Sequence, residues 1–169
     1  MEGSAKLLTG READGHVRIE TARFCIRPFR LEDAEALHAL LSDPQVMRFI
    51  EAPYSREQTL AFLQSAGLCD PPLVWALVDK QTRAFAGQLI FHPYDSTHYE
   101  LGWIFPKTLW HTGAASEVTE AVLAYAKQAG IPALIIECAR EQRVTRHIAE
   151  KFSFCLLEEN ALCVYEKKI

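Results

Sequence analysis

Several common chemistries have no residues here to carry them. The five cysteines, Cys25, Cys69, Cys138, Cys155 and Cys163, stand at wide, irregular spacings, and no two form a CxxC pair. A zinc ribbon and a thioredoxin-type dithiol are therefore not expected. Cys25, Cys138 and Cys155 lie in apolar runs, where cysteine behaves as a small hydrophobe. The six histidines contain no HExxH, and no metal is expected. A basic excess is missing as well. Eighteen Lys and Arg face 22 Asp and Glu, for a net charge of −4, and without a basic stripe DNA is not an expected partner. No apolar run approaches the roughly 20 residues of a membrane span, and the opening MEGSAKLLTGREADGH lacks the apolar centre of a signal peptide. Together with thiols suited to a reducing compartment, these absences predict a soluble, cytoplasmic chain with no membrane partner. Neither a Walker loop nor GxGxxG is present.

What is present is an ordinary globular composition, 49% hydrophobic and 24% charged over 169 residues, enough for one core in one domain. Residues 1–16 are polar and predict a loose arm, leaving 17–169 as a single domain. Phe24 to Phe29 reads as a strand. A helical stripe over Leu31–Leu41 ends at Asp43-Pro44, and Val46–Ile50 briefly continues it. Ser55 with Gln58 three residues on is a capping box that opens a helix running to Gly67. The period then changes: 73–78, 85–92 and 98–105 read as three strands joined by short turns, an antiparallel meander. Gly113–Ala129 is a long helix closed by Gly130 and Pro132. Ala133–Cys138 is a strand apolar on both faces, 144–152 a helix, and 154–157 with 162–166 a closing hairpin. The pattern predicts an α/β (α+β) fold with one mixed, mostly antiparallel central sheet and helices on both faces.

The most informative stretch runs from Glu100 to Glu117, where a strand passes through a short loop into a helix N-terminus. Free N–H groups and the positive end of the helix dipole gather at such a place. Gly113 and the small residues Ala114, Ala115 and Ser116 would let a phosphate reach the backbone. Taken alone, the same turn also reads as an ordinary strand-to-helix connection packed with small residues.

The order of elements extends the reading. Ile19 to Phe29 followed by Leu31-Glu32-Asp33-Ala34, Ser42-Asp43-Pro44-Gln45-Val46-Met47, the loop Trp110-His111-Thr112-Gly113-Ala114-Ala115 with Glu117, and Gln142, Thr145, Glu150-Lys151 and Ser153-Phe154 follow in sequence. In this order the chain resembles the GNAT superfamily of acyl-CoA-dependent N-acetyltransferases, in particular the branch of the ribosomal-protein N-terminal acetyltransferases. The likeness spans residues 18–168 or so. It departs from the family pattern where Trp110 stands for Arg or Gln, His111 for a frequent Gly, Gln142 for Asn and Ser153 for Gly.

The resemblance implies acetyl-CoA as cosubstrate and an amine as acceptor. Its pyrophosphate would rest on His111, Thr112, Gly113, Ala114, Ala115 and Ser116. Its pantetheine arm would pair with Trp103, Ile104 and Phe105, and Gln142 and Lys151 would add contacts. Strand alternation puts His98, Glu100, Gly102 and Ile104 on one face. Glu100 is a candidate base for the amine proton, with His98 as its candidate helper; a solvated strand carboxylate is the plainer alternative. The phenol that many family members present to the thiolate falls on Ala149; the resemblance implies the hydroxyl of Thr145, which matches a Ser/Thr of this branch, as the donor, with a helix-surface threonine the plainer alternative. Two functions stay open: an N-acetyltransferase acting by direct transfer on a primary amine of a peptide N-terminus or small molecule, and a non-catalytic acyl-CoA-binding or interaction module. A monomer and a homodimer are both compatible.

Overall fold

The computed structural model describes residues 17–169 and the backbone of Gly10–Arg11. Its sheet has the order β1-β2-β3-β4-β5-β6-β7-β9-β8. The strands are β1 (Gly10–Arg11), β2 (Val17–Glu20), β3 (Phe24–Pro28), β4 (Val74–Asp79), β5 (Phe85–Pro93), β6 (His98–Ile104), β7 (Ala133–Cys138), β8 (Cys155–Glu159) and β9 (Cys163–Lys168). Of the expected arm 1–16, Gly10–Arg11 pairs with β2, and the remainder lies outside the described residues. β2 itself was not foreseen: Val17–Glu20 has only Ile19 buried, too little to show as a strand pattern.

Every neighbouring pair is antiparallel except β6 with β7. Tight turns join the meander from β4 to β6. The parallel pair needs a crossover, and α4 (Ala114–Ala129) supplies it. On one sheet face α4 buries Val118, Val122 and Ala126 against Phe24, Ile26, Leu89 and Leu134, and α5 (Arg143–Lys151) adds Ala149. On the other face α1 (Ala34–Leu41), α2 (Pro44–Met47) and α3 (Arg56–Phe62) pack Leu37, Leu41, Met47 and Phe62 over Phe29, Val74, Ala76 and Ile104. The helices thus cover both faces. No helix among the described residues is long and apolar enough to cross a membrane.

Local chemistry sets these boundaries. Asp43 caps α2 by accepting from the Gln45 N–H at 2.9 Å, with Pro44 at the first position. Ser55 and Gln58 form the reciprocal capping box at α3, at 3.1 and 2.8 Å. The helix expected over 55–67 changes pitch: after Phe62 it finishes as a π-helical turn, Leu63–Gly67. Gly67 serves close packing there, since a Cβ would stand 3.0–3.2 Å from Leu63 and Phe29.

Candidate active site

The strands β6 and β7 form a fork. They pair from His98↔Ala133 to Glu100↔Ile135 and no further. β5 stays in register with β6 to Ile104, and β9 stays with β7 to Cys138. Among the described residues, one edge of β6 past Glu100 therefore lacks a neighbouring strand. A Cβ on Gly87 of β5 would lie 2.6 Å from the Ile104 carbonyl oxygen, so that carbonyl faces β5. Successive residues alternate their backbone groups across a strand, so those of Trp103 and Phe105 face the open side. The Phe105 carbonyl is already used, accepting from the Trp110 indole at 2.9 Å. Trp103 is left with its amide and carbonyl toward the fork.

The loop after β6 ends at an uncapped helix. Gly113 occupies the N-cap of α4 in the left-handed region at φ 81°, with no side-chain cap among the described residues; His111 is also left-handed, at φ 59°. The first intrahelical bond runs from Glu117 N–H to the Gly113 carbonyl. Among the described residues, the N–H groups of 112 to 116 have no acceptor. The contrast with α3, whose N-terminus is tied off by its own side chains, is physical: α4 holds free donors at the positive end of its dipole. A Cβ on Gly113 would meet only Arg23 Nη2, at 4.0 Å. Lys151 Nζ donates to Ser116 Oγ at 3.3 Å and brings a second positive charge to this turn.

Loop and fork open on one cleft of about 310 Å³. Gln45, Val46, Phe49 and Ile50 form one wall, Trp103, Ile104, Phe105, Trp110 and His111 a second, and residues 141–145 a third. Gln142 Oε1 accepts from the Ala139 N–H at 2.7 Å, which shapes the entry to α5 and leaves its amide nitrogen available. Thr145 is half-buried on the cleft wall, and its hydroxyl has no hydrogen bond among the described residues. Ile148, one turn on, is buried rather than on that wall, and Ala149 is fully buried in the core.

Glu100 is half-buried and lies on the side of the sheet that carries Ile104, the side of α1–α3. Its Oε2 is 3.2 Å from Nε2 of His92, the residue opposite it on β5. His92 Nδ1 is 2.9 Å from the Pro93 carbonyl. Both ring nitrogens thus face groups that can only accept, which suits the imidazolium. The Glu100 hydrogen bond raises the His92 pKa, against the opposing effect of burial. His98 points elsewhere, bridging Glu166 and Asp95 at 2.9 Å each; these two carboxylates, Glu166 first, raise its pKa. Near Glu100, Tyr94 donates to Glu137 at 2.6 Å, and that bond is the main cause raising the phenol to about 12.

The structure therefore brings Trp103, Ile104, Phe105, His111, Gln142 and Thr145 to one cleft, and puts Thr112, Gly113, Ala114, Ala115, Ser116 and Lys151 at the adjoining helix end. Glu100 stands at the root of the fork, outside the cleft lining. Sequence reasoning missed two residues. His92 is visible only as the cross-strand partner of Glu100, which needs the register. Arg23 lies far away in the chain, yet its Nε donates to Glu117 at 2.6 Å and its Nη2 to the Thr112 carbonyl at 3.1 Å. Burial works to raise the Glu117 pKa, but hydrogen bonds from Thr21 and Arg23 outweigh it and the net shift is downward.

Known proteins share this architecture. The uncharacterized N-acetyltransferase YnaD of Bacillus subtilis is 28% identical over 138 residues, covering 80% of this chain and 81% of its own. The crystal structure of a GNAT-family acetyltransferase from Bacillus anthracis superposes with a TM-score of 0.79 at 26% identity, over 90% of this chain and 97% of that one. RimL, a ribosomal L7/L12 alpha-N-protein acetyltransferase solved in complex with coenzyme A, shares the fold with a TM-score of 0.75 at 17% identity, over 88% and 96%. The acetyltransferase (GNAT) domain matches residues 23–154, from the Arg23 that holds the loop to the Phe154 that closes the core behind α5. With the forked sheet, the uncapped α4 and this match, the chain belongs to the GNAT acetyltransferase family.

Proposed function

We propose that this acetyltransferase takes its acetyl group from acetyl-CoA and passes it directly to a primary amine, of a peptide N-terminus or a small molecule, in the cytoplasm. The observation that carries the reading is the set of free N–H groups at 112–116 beside the open edge of β6. A pyrophosphate is an anion of the right kind for that helix end. His111 and Lys151 flank it. The extended amide chain of pantetheine matches the free backbone groups of Trp103, and the amide nitrogen of Gln142 offers one more donor.

The chemistry then requires proximity, a base and stabilisation of the leaving thiolate. An acceptor entering from the side of Val46, Phe49 and Ile50 approaches the sheet face that carries Glu100. Glu100 takes the ammonium proton, directly or through a water. The free amine attacks the thioester carbonyl, the C–S bond breaks while the Thr145 hydroxyl steadies the departing thiolate by a hydrogen bond, and the second proton that the nitrogen sheds passes through water to the thiolate. A proton carried off by Glu100 returns to solvent.

The test is turnover of Glu100→Gln with an alkylamine. The account expects a loss of about 10²-fold near pH 7 that shrinks near pH 9.5, where more of the amine is already neutral. An equal loss at both pH values would remove Glu100 from the proton path. One observation favours the second reading, a non-catalytic CoA-binding module: Ala149 presents no phenol to the sulfur. That reading expects CoA binding with no acetyl transfer.

A further inference from the structure

Arg23 carries the N-terminal side of the domain to the loop in front of α4. Arg23 sits just before β3, 89 residues from Thr112 and 94 from Glu117. Its Nη2 donates to the Thr112 carbonyl at 3.1 Å, and its Nε to Glu117 Oε2 at 2.6 Å. Its backbone N–H and the Thr21 hydroxyl both donate to Glu117 Oε1, at 2.8 and 2.6 Å. The guanidinium is also held over the Phe24 ring, 5.1 Å from its centroid. Glu117, on the first turn of α4, thus anchors Arg23, and Arg23 in turn grips the loop.

The grip has a directional consequence. The peptide unit is planar and trans, so the Thr112 carbonyl and the Gly113 N–H point in opposite directions. A peptide next to glycine can flip with little steric cost, because glycine populates both signs of φ. One orientation turns the Gly113 N–H to the same side as the other free donors of the turn. The flipped orientation would turn a carbonyl oxygen toward an anion instead. Arg23 holds the carbonyl on its own side and so selects the first.

We propose that Arg23 is a positioning residue of the donor site: by holding the Thr112 carbonyl, it orients the Gly113 N–H for the CoA pyrophosphate. The proposal rests on the assignment of this turn to CoA. It makes Arg23 specific for the part of the donor that carries the pyrophosphate. Pantetheine derivatives lack that group and engage the fork alone.

The experiment measures binding of CoA and of pantetheine by calorimetry, and KM and kcat with acetyl-CoA and acetylpantetheine, for wild type, Arg23→Ala, Arg23→Lys and Glu117→Gln. In Arg23→Ala the Kd and KM for the CoA forms should rise about tenfold or more, as for loss of a charge-assisted contact. The pantetheine values and the kcat at saturating donor should hold. Arg23→Lys can reach Glu117 or Thr112 but not both, so its rise should be intermediate. Glu117→Gln keeps the oxygen that accepts from Thr21 and loosens Arg23, and should move the same constants the same way by less. A wild type that prefers CoA to pantetheine by the same factor as Arg23→Ala overturns the proposal and leaves the CoA assignment standing. Equal weakening of both donors also overturns it, because Arg23 would then be a general support. A wild type that shows no preference for CoA over pantetheine fails the CoA assignment itself.

Discussion

Two glycines at opposite ends of α4 offer a controlled test of the anion seat. Gly113 is at the N-cap with φ 81° and Gly130 at the C-cap with φ 71°. A residue with a Cβ costs about 1–2 kcal/mol in the left-handed region, and valine should stand at the upper end. Neither site adds a clash to that cost: a Cβ at Gly113 meets only Arg23 Nη2 at 4.0 Å, and one at Gly130 meets nothing within 4 Å. Gly113→Val and Gly130→Val should therefore lower the melting temperature alike, by about 2–8 °C in a chain of this size. Ligand linkage separates them. At ~100 times its dissociation constant CoA adds about 2.7 kcal/mol, a rise of about 5–11 °C. Wild type and Gly130→Val should keep that rise. Gly113→Val should lose it, because its side chain fills the open space over the free N–H groups and its backbone resists the conformation that exposes them. Differential scanning fluorimetry with a CoA titration reads both effects. A CoA-induced rise in Gly113→Val equal to that of Gly130→Val would refute the helix end as the pyrophosphate seat.

Other outcomes follow from single side chains. Thr145→Val is nearly isosteric and should lower kcat while leaving CoA affinity unchanged, with partial recovery in Thr145→Ser; stopped-flow thiol detection under conditions where chemistry limits the rate checks this. His92 has its pKa raised in the folded state. Its pairing with Glu100 thus contributes stability that is complete below the unfolded value of about 6.5 and is lost as pH rises through the folded value. Chemical denaturation of His92→Gln across that range should show a flatter profile than wild type. Glu117 has its pKa lowered, so its contribution is present above the unfolded value and is lost as pH falls through the folded one. Glu117→Gln should lose less stability than wild type on the acid side, measured by the same unfolding experiment.

Much of this architecture was legible because it is built from local signals. The Ser55 and Gln58 capping box, the stripe of α4 and the apolar run of β7 each declare an element within a few residues. Gly113, followed by two alanines and a serine, pointed to the strand-to-helix turn at the start of α4 for the same reason. What stayed hidden depends on register and long-range pairing. His92 was passed over and His98 offered as the helper of Glu100. Alternation puts His98 on the same face, but the antiparallel register sets His92 directly opposite Glu100, while His98 is taken by Asp95 and Glu166. Arg23 and Glu117 each fell within a resembling motif, but their contact bridges 94 residues. Phe105 was expected to offer its backbone to pantetheine. Its carbonyl is engaged by the Trp110 indole, a bond that requires the loop to turn back on its own strand, while its amide keeps the open side.

The central claim is that this cleft moves an acetyl group from acetyl-CoA to an amine. Its most direct test is a mass-spectrometric assay of wild type and Glu100→Gln with isotopically labelled acetyl-CoA. The acceptor panel would hold peptides with free N-termini, amino acids, polyamines and aminoglycosides, and thiol release would be followed in parallel. The account predicts that at least one amine gains the labelled acetyl group in step with thiol release, and that Glu100→Gln slows both near neutral pH. Saturable CoA binding with no labelled amine in any class, and no thiol release above that of buffer, would contradict it and leave a CoA-binding module.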